Sequence, residues 1–222
     1  MIFNSIEFGI FYTLVFVIYW AFFSKNIRAR NLFIIATSYF FYGFWDWRFL
    51  GLIIISSLGD FVFGIQIDQG KDKRIKKRYL LASIILNLGI LCFFKYFNFF
   101  IDSWVDGCHL LNIQVSITTL QIILPVGISF YTFQTLSYTI DIYRNQLKPT
   151  RDIWAFLAFV SFFPQLVAGP IERAKKLLPQ FFTIHQANYQ SIKLGLLDVA
   201  IGLFKKIVIA DRLAVFVDGT FN

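Results

Sequence analysis

Residues 124–144 read LPVGISFYTFQTLSYTIDIYR, and residues 159–173 read FVSFFPQLVAGPIER. Both runs are apolar enough for a lipid bilayer, yet both contain glutamine, charged residues and residues that disfavour continuous helix. Five prolines and glycines mark the places where helices are expected to begin or break: Pro125, Gly127, Pro164, Gly169 and Pro170. These two runs therefore decide whether the chain is a bundle of simple membrane helices or contains irregular backbone.

The composition is that of an integral membrane protein. Of the 222 residues, 57% are hydrophobic and only 15% are charged, whereas a soluble domain is about 25% charged. Twenty-nine phenylalanines exceed what one water-soluble core can bury without large exposed apolar patches. The net charge of +8 sits mostly in short links, where it indicates orientation and lipid contact rather than nucleic-acid binding. We expect an all-α, polytopic transmembrane helical bundle whose main partner is the lipid bilayer.

Apolar runs divide the chain into six or seven predicted membrane segments, one of them broken or re-entrant. The predicted segments are residues 6–23, 31–45, 49–67 with an interruption at Gly59 and Asp60, 79–94 with an extension to 101, 120–143, 153–167 and 194–208. A polar link is predicted over 102–119. Residues 1–222 are thus interpreted as one integral-membrane region without a separate soluble domain.

Basic residues in the links predict the sides of the membrane. The six links carry 3, 1, 6, 0, 3 and 4 lysines and arginines in order. By the positive-inside rule, the first five counts place the N-terminus outside the bacterial inner membrane. The last count breaks the alternation. This predicts that segment 120–143 or 153–167 does not cross fully, or that a re-entrant element restores the side.

Polar side chains of segment 120–143 recur at helical spacing. Spacings of three and four place one stripe on a single helix face: Phe130, Gln134, Ser137, Tyr138 and Asp141. Polar groups that face lipid are costly, so this face is predicted to line a bundle interior or a cavity. Two alternatives stay open. Gln134 could simply hold helices together by a hydrogen bond, and Asp141 could pair with Arg144 at the interface.

The run PQLVAGPIER, residues 164–173, predicts irregular backbone inside the membrane. Pro164 and Pro170 disrupt helix and bias the residues before them toward extended geometry, with Gln165 between them. Glu172 and Arg173 follow directly. One interpretation is a broken or re-entrant segment. The other is a proline-kinked helix end followed by a solvated ion pair.

The remaining reactive residues predict no catalytic or metal site in this chain. His109 and His185 fall in polar links and are expected to be solvated. Cys92 is expected to be a small buried hydrophobe, and Cys108 an incidental loop thiol. The sequence contains no metal-ligand spacing, no phosphate-binding glycine loop and no Gly-x-Ser-x-Gly nucleophile elbow.

Four motifs together resemble one enzyme family. They are YFFYGFWDWRFL at 39–50, NLGILCFFKYFNFF at 87–100, and the two runs at 124–144 and 159–173. In this order they are similar to the membrane-bound O-acyltransferase family, in particular its bacterial alginate O-acetyltransferase branch. That branch also includes membrane proteins of D-alanyl-lipoteichoic acid and peptidoglycan O-acetylation. The likeness extends through KKIVIADRLAVFVD at 205–218.

The resemblance implies a membrane enzyme that passes an acyl group from acetyl-coenzyme A or an acyl-carrier thioester to a polysaccharide or cell-wall hydroxyl. It implies no covalently bound cofactor and a periplasmic acyltransferase partner of the SGNH-hydrolase type. The family's catalytic histidine lies in a Trp-His-Gly context that is missing here, so the chain is expected to be an N-terminal half that is inactive alone. The implied tunnel-lining or support residues are Gln134, Tyr138, Asp141, Gln165, Glu172 and Arg173.

A second class of function uses the same polar stripe differently. A non-enzymatic membrane scaffold or transport module would line a solute path with it. Such proteins commonly show internal repeats with broken helices at corresponding positions, and the sequence contains no such repeat. The acyltransferase interpretation instead predicts a membrane-embedded histidine downstream of residue 222.

Overall fold

A computed structural model describes residues 5–110, 124–166, 169–170 and 172–221. Most of these residues are helical and the described ranges contain no strand, which confirms the predicted all-α fold. Two compact units divide the chain: unit 1 is Met1–Asn26 with Ile184–Asn222, and unit 2 is Ile27–Thr183. That the whole chain is one membrane region without a soluble domain stays a prediction.

Helices follow one another along the described ranges. In chain order they are α1 (Ile6–Ile18), α2 (Ile27–Asp46), α3 (Leu50–Gln69), α4 (Lys73–Leu110), α5 (Ile128–Tyr143), α6 (Ile153–Ser161), α7 (Phe163–Leu166), α8 (Ala174–Leu177), α9 (Tyr189–Phe204) and α10 (Asp211–Phe221). Turns of 3-10 helix cover Trp47–Phe49 and Leu178–Phe182, and turns of π-helix cover Tyr19–Phe23 and Lys205–Ala210.

Three helical stretches among the described residues are long and apolar enough to cross a membrane: Ile6–Phe23, Ile27–Gln69 and Lys73–Leu110. The second stretch contains two helices of 20 residues each, α2 and α3. They are separate because Asp46 is extended, with φ −161° and ψ 109°, and its carboxylate accepts the Arg48 N–H in the turn between them. Each of the two is about 30 Å long, which matches one bilayer core.

Unit 2 is organised around α3, which packs against α4 and α5. Near the end of α2, the Tyr42 hydroxyl donates to the Val126 carbonyl at 2.9 Å, so α5 begins beside the end of α2. Near the ends of α3 and α5, a Cβ built on Gly64 would lie only 2.6 Å from Tyr138 Cε1. The start of α2 and the ends of α3 and α5 therefore lie at one end of unit 2.

Unit 1 contains α1, α9 and α10. Side-chain oxygens cap two of these helices, since Ser5 accepts the Phe8 N–H at 3.2 Å and Asn188 accepts the Ser191 N–H at 2.7 Å. The predicted segment 194–208 is part of a longer helical run, because α9 continues through a π-helical turn into α10. No described side chain of α9 is buried, as suits an apolar helix surrounded by lipid.

Two predicted interruptions are helical instead. α3 continues through Gly59 and Asp60 because both face neighbouring helices: a Cβ on Gly59 would lie 2.6 Å from Leu86 Cδ2, and Asp60 is fully buried. α4 continues through residues 102–110 of the predicted polar link. Its 38 residues extend for about 57 Å, well beyond one bilayer core.

Several predicted boundaries also shift. α2 begins at Ile27 rather than at residue 31, so Arg30 belongs to a helix and not to a link. α6 ends at Ser161, short of the predicted residue 167. The predicted starting residues 120–123 of the fifth segment, and Val167 itself, lie outside the described residues.

Candidate functional site

α6 is too short to cross a bilayer. Its nine residues extend for about 14 Å, less than half of the roughly 30 Å hydrocarbon core. Asp152 caps its start by accepting the N–H groups of Trp154 and Ala155. Phe162 ends it with φ −52° and ψ 103°, and the single turn α7, with Pro164 as its second residue, follows directly. The next backbone amide, that of Phe163, donates to Ser38 Oγ at 3.2 Å, near the middle of α2.

The chain then comes back to the end of unit 2 at which α2 begins. Arg30 lies in the first turn of α2 and is 2% exposed. Its guanidinium donates hydrogen bonds to three carbonyls of the returning chain: Gln180 at 3.3 Å, Phe181 at 2.8 Å and Thr183 at 2.5 Å. Charge-assisted bonds of this kind are stronger than neutral ones, so Arg30 anchors the returning chain firmly.

The described residues of the range 153–183 consequently form a hairpin, and that name is used for them below. The rings of Phe162 and Phe181 pack between its two legs, with centroids 5.8 Å apart. Ser38 contacts the hairpin near its tip and Arg30 contacts it at its exit, and these two residues are about 12 Å apart along α2. The hairpin enters and leaves at the same end of unit 2 and reaches about the middle of the bundle.

The hairpin accounts for the break in the basic-residue count. Because no crossing separates α6 from α8, the links before and after the hairpin lie at one end of unit 2. The same end holds the start of α2 and the link between α3 and α4. Three of the four basic residues in the last predicted link, Arg173, Lys175 and Lys176, belong to the part of the hairpin that leads back to this end, and all three are exposed. We call this surface the basic end of unit 2.

Tight backbone packing holds the tip of the hairpin. The Gly169 amide donates to the Gln165 carbonyl at 3.3 Å. A Cβ at Gly169 would lie 2.5 Å from Gln165 Cα, so only glycine fits. Pro164 is the second residue of α7, where a missing N–H costs little. Pro170 is exposed.

Helix α5 supports the hairpin from the side. Gln134 is buried, and its Nε2 donates to the Phe159 carbonyl of α6 at 2.8 Å. The Tyr138 hydroxyl accepts the Thr150 N–H at 3.2 Å, and its ring lies 4.6 Å from that of Phe156. Before α5, Pro125 turns the chain by accepting the Ile128 N–H, and Gly127 adopts φ 77°, the left-handed region that glycine tolerates.

The charged candidates do not form the alternative ion pairs. Within the described ranges, the ion pairs are Arg48–Asp46 and Lys206–Asp211, so Asp141 is not paired with Arg144. Asp141 is buried near the end of α5, and its backbone carbonyl accepts the amides of the two residues that reverse the chain, Gln146 and Leu147. Glu172 is half-buried and Arg173 is exposed, on the returning leg of the hairpin.

A buried polar cluster between α3, α4 and α5 was not among the predicted site residues. Its centre is the Asp60 carboxylate, whose two oxygens accept from Ser83 Oγ and Asn87 Nδ2, each at 2.6 Å. The Asn87 carbonyl oxygen accepts from Ser56 at 2.7 Å and from Thr135 at 3.1 Å. Every member is at most 1% exposed, so these hydrogen bonds join three helices in the interior of unit 2.

Comparison with curated proteins identifies relatives of this chain. The chain is 34% identical to the peptidoglycan O-acetyltransferase of Helicobacter pylori over 90% of its length. It is 37% identical to the probable alginate O-acetylases AlgI of Pseudomonas syringae pv. tomato and Pseudomonas aeruginosa over 87% of its length. This chain is a homologue of the membrane-bound O-acyltransferases. The resemblance carried by the four motifs is thereby confirmed.

The similarity covers only part of each relative. The chain spans 42% of the Helicobacter pylori protein and 37% of the two Pseudomonas proteins. No family model matches the chain, and no solved structure matches it.

The histidines and cysteines of this O-acyltransferase homologue lie on α4 and in the coil that precedes α9. His109 is in the last turn of α4 rather than in a polar link, and it is exposed. His185 is exposed in the coil after the hairpin. Cys92 is exposed on α4; the prediction of a buried position was wrong because its apolar helix presents that side to the surroundings. Cys108 is half-buried on the same helix.

Sequence signals for the missed residues differ in strength. The sequence does contain a signal for Asp60, because an ionisable residue inside an apolar segment is expected to make a polar contact. Asn87, in the next apolar segment, is a possible partner by residue type. The sequence contains no signal that Arg30 is buried, because Arg28 and Arg30 lie in the same predicted basic link and only the fold buries one of them. Arg28 is exposed.

Proposed function

We propose that this chain forms part of a membrane-embedded O-acetyltransferase that modifies hydroxyl groups of a cell-surface polysaccharide or cell-wall polymer. The observation that carries the proposal is the identity of 34–37% over about nine-tenths of the chain with proteins named peptidoglycan O-acetyltransferase and alginate O-acetylase. The relatives' names differ in the acceptor polymer. Alginate-type exopolysaccharide and peptidoglycan are accordingly the first two acceptors to test.

The hairpin supports this function physically. Non-helical backbone at membrane depth is tolerated only where protein or a water-filled cavity surrounds it. Here it carries Gln165 to about the middle of unit 2, next to α5 with Gln134 and Tyr138. A reaction that moves an acyl group between the two sides of a membrane needs polar groups at such a depth. Gln134, Tyr138, Asp141, Gln165, Glu172 and Arg173 act as lining or support groups, and no catalytic histidine is assigned to this chain.

Orientation, donor and partner are parts of the same proposal. The basic end of unit 2 faces the cytoplasm of the bacterial inner membrane, as the positive-inside rule favours, and the N-terminus lies outside. Acetyl-coenzyme A or an acyl-carrier thioester supplies the acetyl group from the basic end. A periplasmic acyltransferase of the SGNH-hydrolase type works with the membrane protein on the opposite side.

Deletion and complementation test the function. We expect that deleting the gene lowers the O-acetyl content of either the exopolysaccharide or the peptidoglycan, and that the full-length wild-type gene restores it. The content is measured by mild alkaline release of acetate from each purified polymer. Unchanged acetate in both polymers would contradict the proposal and favour a scaffold or transport role.

A further inference from the structure

The two glutamines near the middle of unit 2 differ in how their amides are used. Gln134 donates to the Phe159 carbonyl at 2.8 Å and is 2% exposed. At the same depth, the Ser38 hydroxyl oxygen accepts a hydrogen bond from the Phe163 amide. Gln165 is also more than nine-tenths buried, at 8% exposed, but its side-chain amide makes no hydrogen bond to any part of the chain that the structure describes.

The Gln165 amide has no described hydrogen-bond partner but keeps a small accessible surface. Among the described residues, the fully buried side-chain atoms without a partner are instead the hydroxyls of Tyr39, Tyr131 and Thr132. Because the Gln165 amide is accessible, a small molecule can reach it, and native proteins rarely leave a largely buried polar side chain without a hydrogen bond unless it has a role. The neighbouring leucine of the same turn, Leu166, is fully buried, so an apolar side chain is compatible with this region. The exposed fraction of Gln165 leaves room for contact with a small group.

Packing fixes Gln165 although its amide is free. Gly169 lies directly against its backbone, and α7 packs on both α2 and α5. The side chain is therefore held by its backbone and not by its own hydrogen bond. A rigid backbone with a free polar end is the arrangement that binding residues require, because little conformational entropy is then lost on binding.

We propose that the Gln165 amide hydrogen-bonds an uncharged oxygen of the substrates during acyl transfer. This oxygen is either the carbonyl oxygen of the acyl donor or the hydroxyl oxygen of the acceptor, and the inference rests on the proposed function. A neutral amide suits neutral oxygens in a setting with the rings of Phe162 and Phe163. An ion there would need an opposite charge.

The reaction defines what the amide can do. The acceptor oxygen bonds to the acyl carbon, the carbon–sulfur bond of the thioester breaks, and the hydroxyl proton ends on the released thiol. Negative charge grows on the carbonyl oxygen in between, and an N–H donor aimed at that atom stabilises it. If the amide instead binds the acceptor, its carbonyl oxygen receives the hydroxyl proton as a hydrogen bond and orients the attacking oxygen.

The test uses the full-length protein in the deletion strain. We expect Gln165→Leu to lower polymer O-acetylation by about tenfold or more, as loss of one well-placed hydrogen bond does, while the abundance and melting temperature of the purified protein do not fall. The matched control is Gln134→Leu, which leaves the Phe159 carbonyl unpaired and should lower the melting temperature. Acetylation at the wild-type level in Gln165→Leu, or a loss that merely follows reduced abundance, overturns the inference.

A second variant separates the two oxygen sources. Gln165→Glu keeps an acceptor oxygen and removes the N–H donor. It should match Gln165→Leu if the amide binds the donor carbonyl, and retain several times more acetylation than Gln165→Leu if it binds the acceptor hydroxyl. Failure of the wild-type gene to restore acetylation would instead refute the proposed function, so the two failures are distinguishable.

Discussion

The Asp60 cluster and the hairpin are two polar regions of the same unit, and they pair their polar groups differently. In the cluster, Asp60, Ser83 and Asn87 satisfy one another across α3, α4 and α5. In the hairpin, anchors such as Arg30 satisfy the backbone, while the Gln165 amide is left without a described partner. Burial alone therefore does not identify a site in a membrane bundle. The unused hydrogen-bonding capacity distinguishes a candidate binding group from a structural one.

The largest effect on stability is expected from removing Arg30, which anchors the hairpin. Arg30→Leu leaves the carbonyls of Gln180, Phe181 and Thr183 without their charged donor. We expect a loss of about 3 kcal/mol or more in unfolding free energy, measured by thermal unfolding of the full-length protein in detergent. Arg28→Leu removes an exposed charge from the same helix and should change stability by less than about 0.5 kcal/mol. Equal effects of the two variants would show that the hairpin does not depend on Arg30.

The cluster is tested by removing its centre. Asp60→Leu removes the carboxylate that accepts from Ser83 Oγ and from one N–H of Asn87. Among the described residues, Ser83 then has only Thr139 Oγ1 beside its hydroxyl, and Asn87 Nδ2 only the Ser83 carbonyl. We expect a loss of about 2 kcal/mol, and a smaller one for Asp60→Asn, which keeps one carbonyl acceptor and nearly the same volume. The readout is the melting temperature of each purified variant. A leucine variant as stable as the asparagine variant would mean that shape, and not hydrogen bonding, holds α3 to α4.

The close approach of α3 and α5 is expected to give the smallest effect. Gly64→Val would place side-chain atoms where Tyr138 now lies, and overpacking of this kind costs about 1–3 kcal/mol; we expect the lower part of that range, because the Tyr138 ring can shift. Gly89→Ala on α4 is the control, since a Cβ there meets nothing within 4 Å. It should be neutral or slightly stabilising through helix propensity. Hydrogen exchange of the Thr150 amide, which bonds to Tyr138, reports whether the valine moves the ring.

Much of the fold follows from patterns in the sequence. Long apolar runs predicted α1 to α4 with boundary errors of a few residues at most ends, because backbone groups in lipid must be satisfied within a helix. The prolines at 164 and 170 predicted irregular backbone where the hairpin turns. The largest errors were residues 102–110, predicted as a link but helical, and the nine-residue length of α6. The extent of a helix depends on neighbours that satisfy its ends, and a local window does not contain them.

The candidate site was predictable only in part. Helical spacing grouped Gln134, Tyr138 and Asp141 on α5, and the structure buries all three. Helical spacing did not show that Gln134 hydrogen-bonds to α6 while the Gln165 side chain has no described partner. Such hydrogen bonds join residues that are far apart in the chain. Asp60 was visible only as an interruption of an apolar run. Arg30 could not be told apart from Arg28.

The all-α membrane fold and the homology to the O-acyltransferases follow from the sequence, because composition and local motifs can be recognised without any knowledge of tertiary contacts. The tertiary structure alone decided that the sixth predicted segment turns back at about half depth. It also decided which polar groups are paired, because a hydrogen bond in a low-dielectric interior depends on ångström-scale positions set by helices remote in sequence. Gln134 and Gln165 are the same residue type, in similarly apolar segments, and only their partners separate support from a binding role.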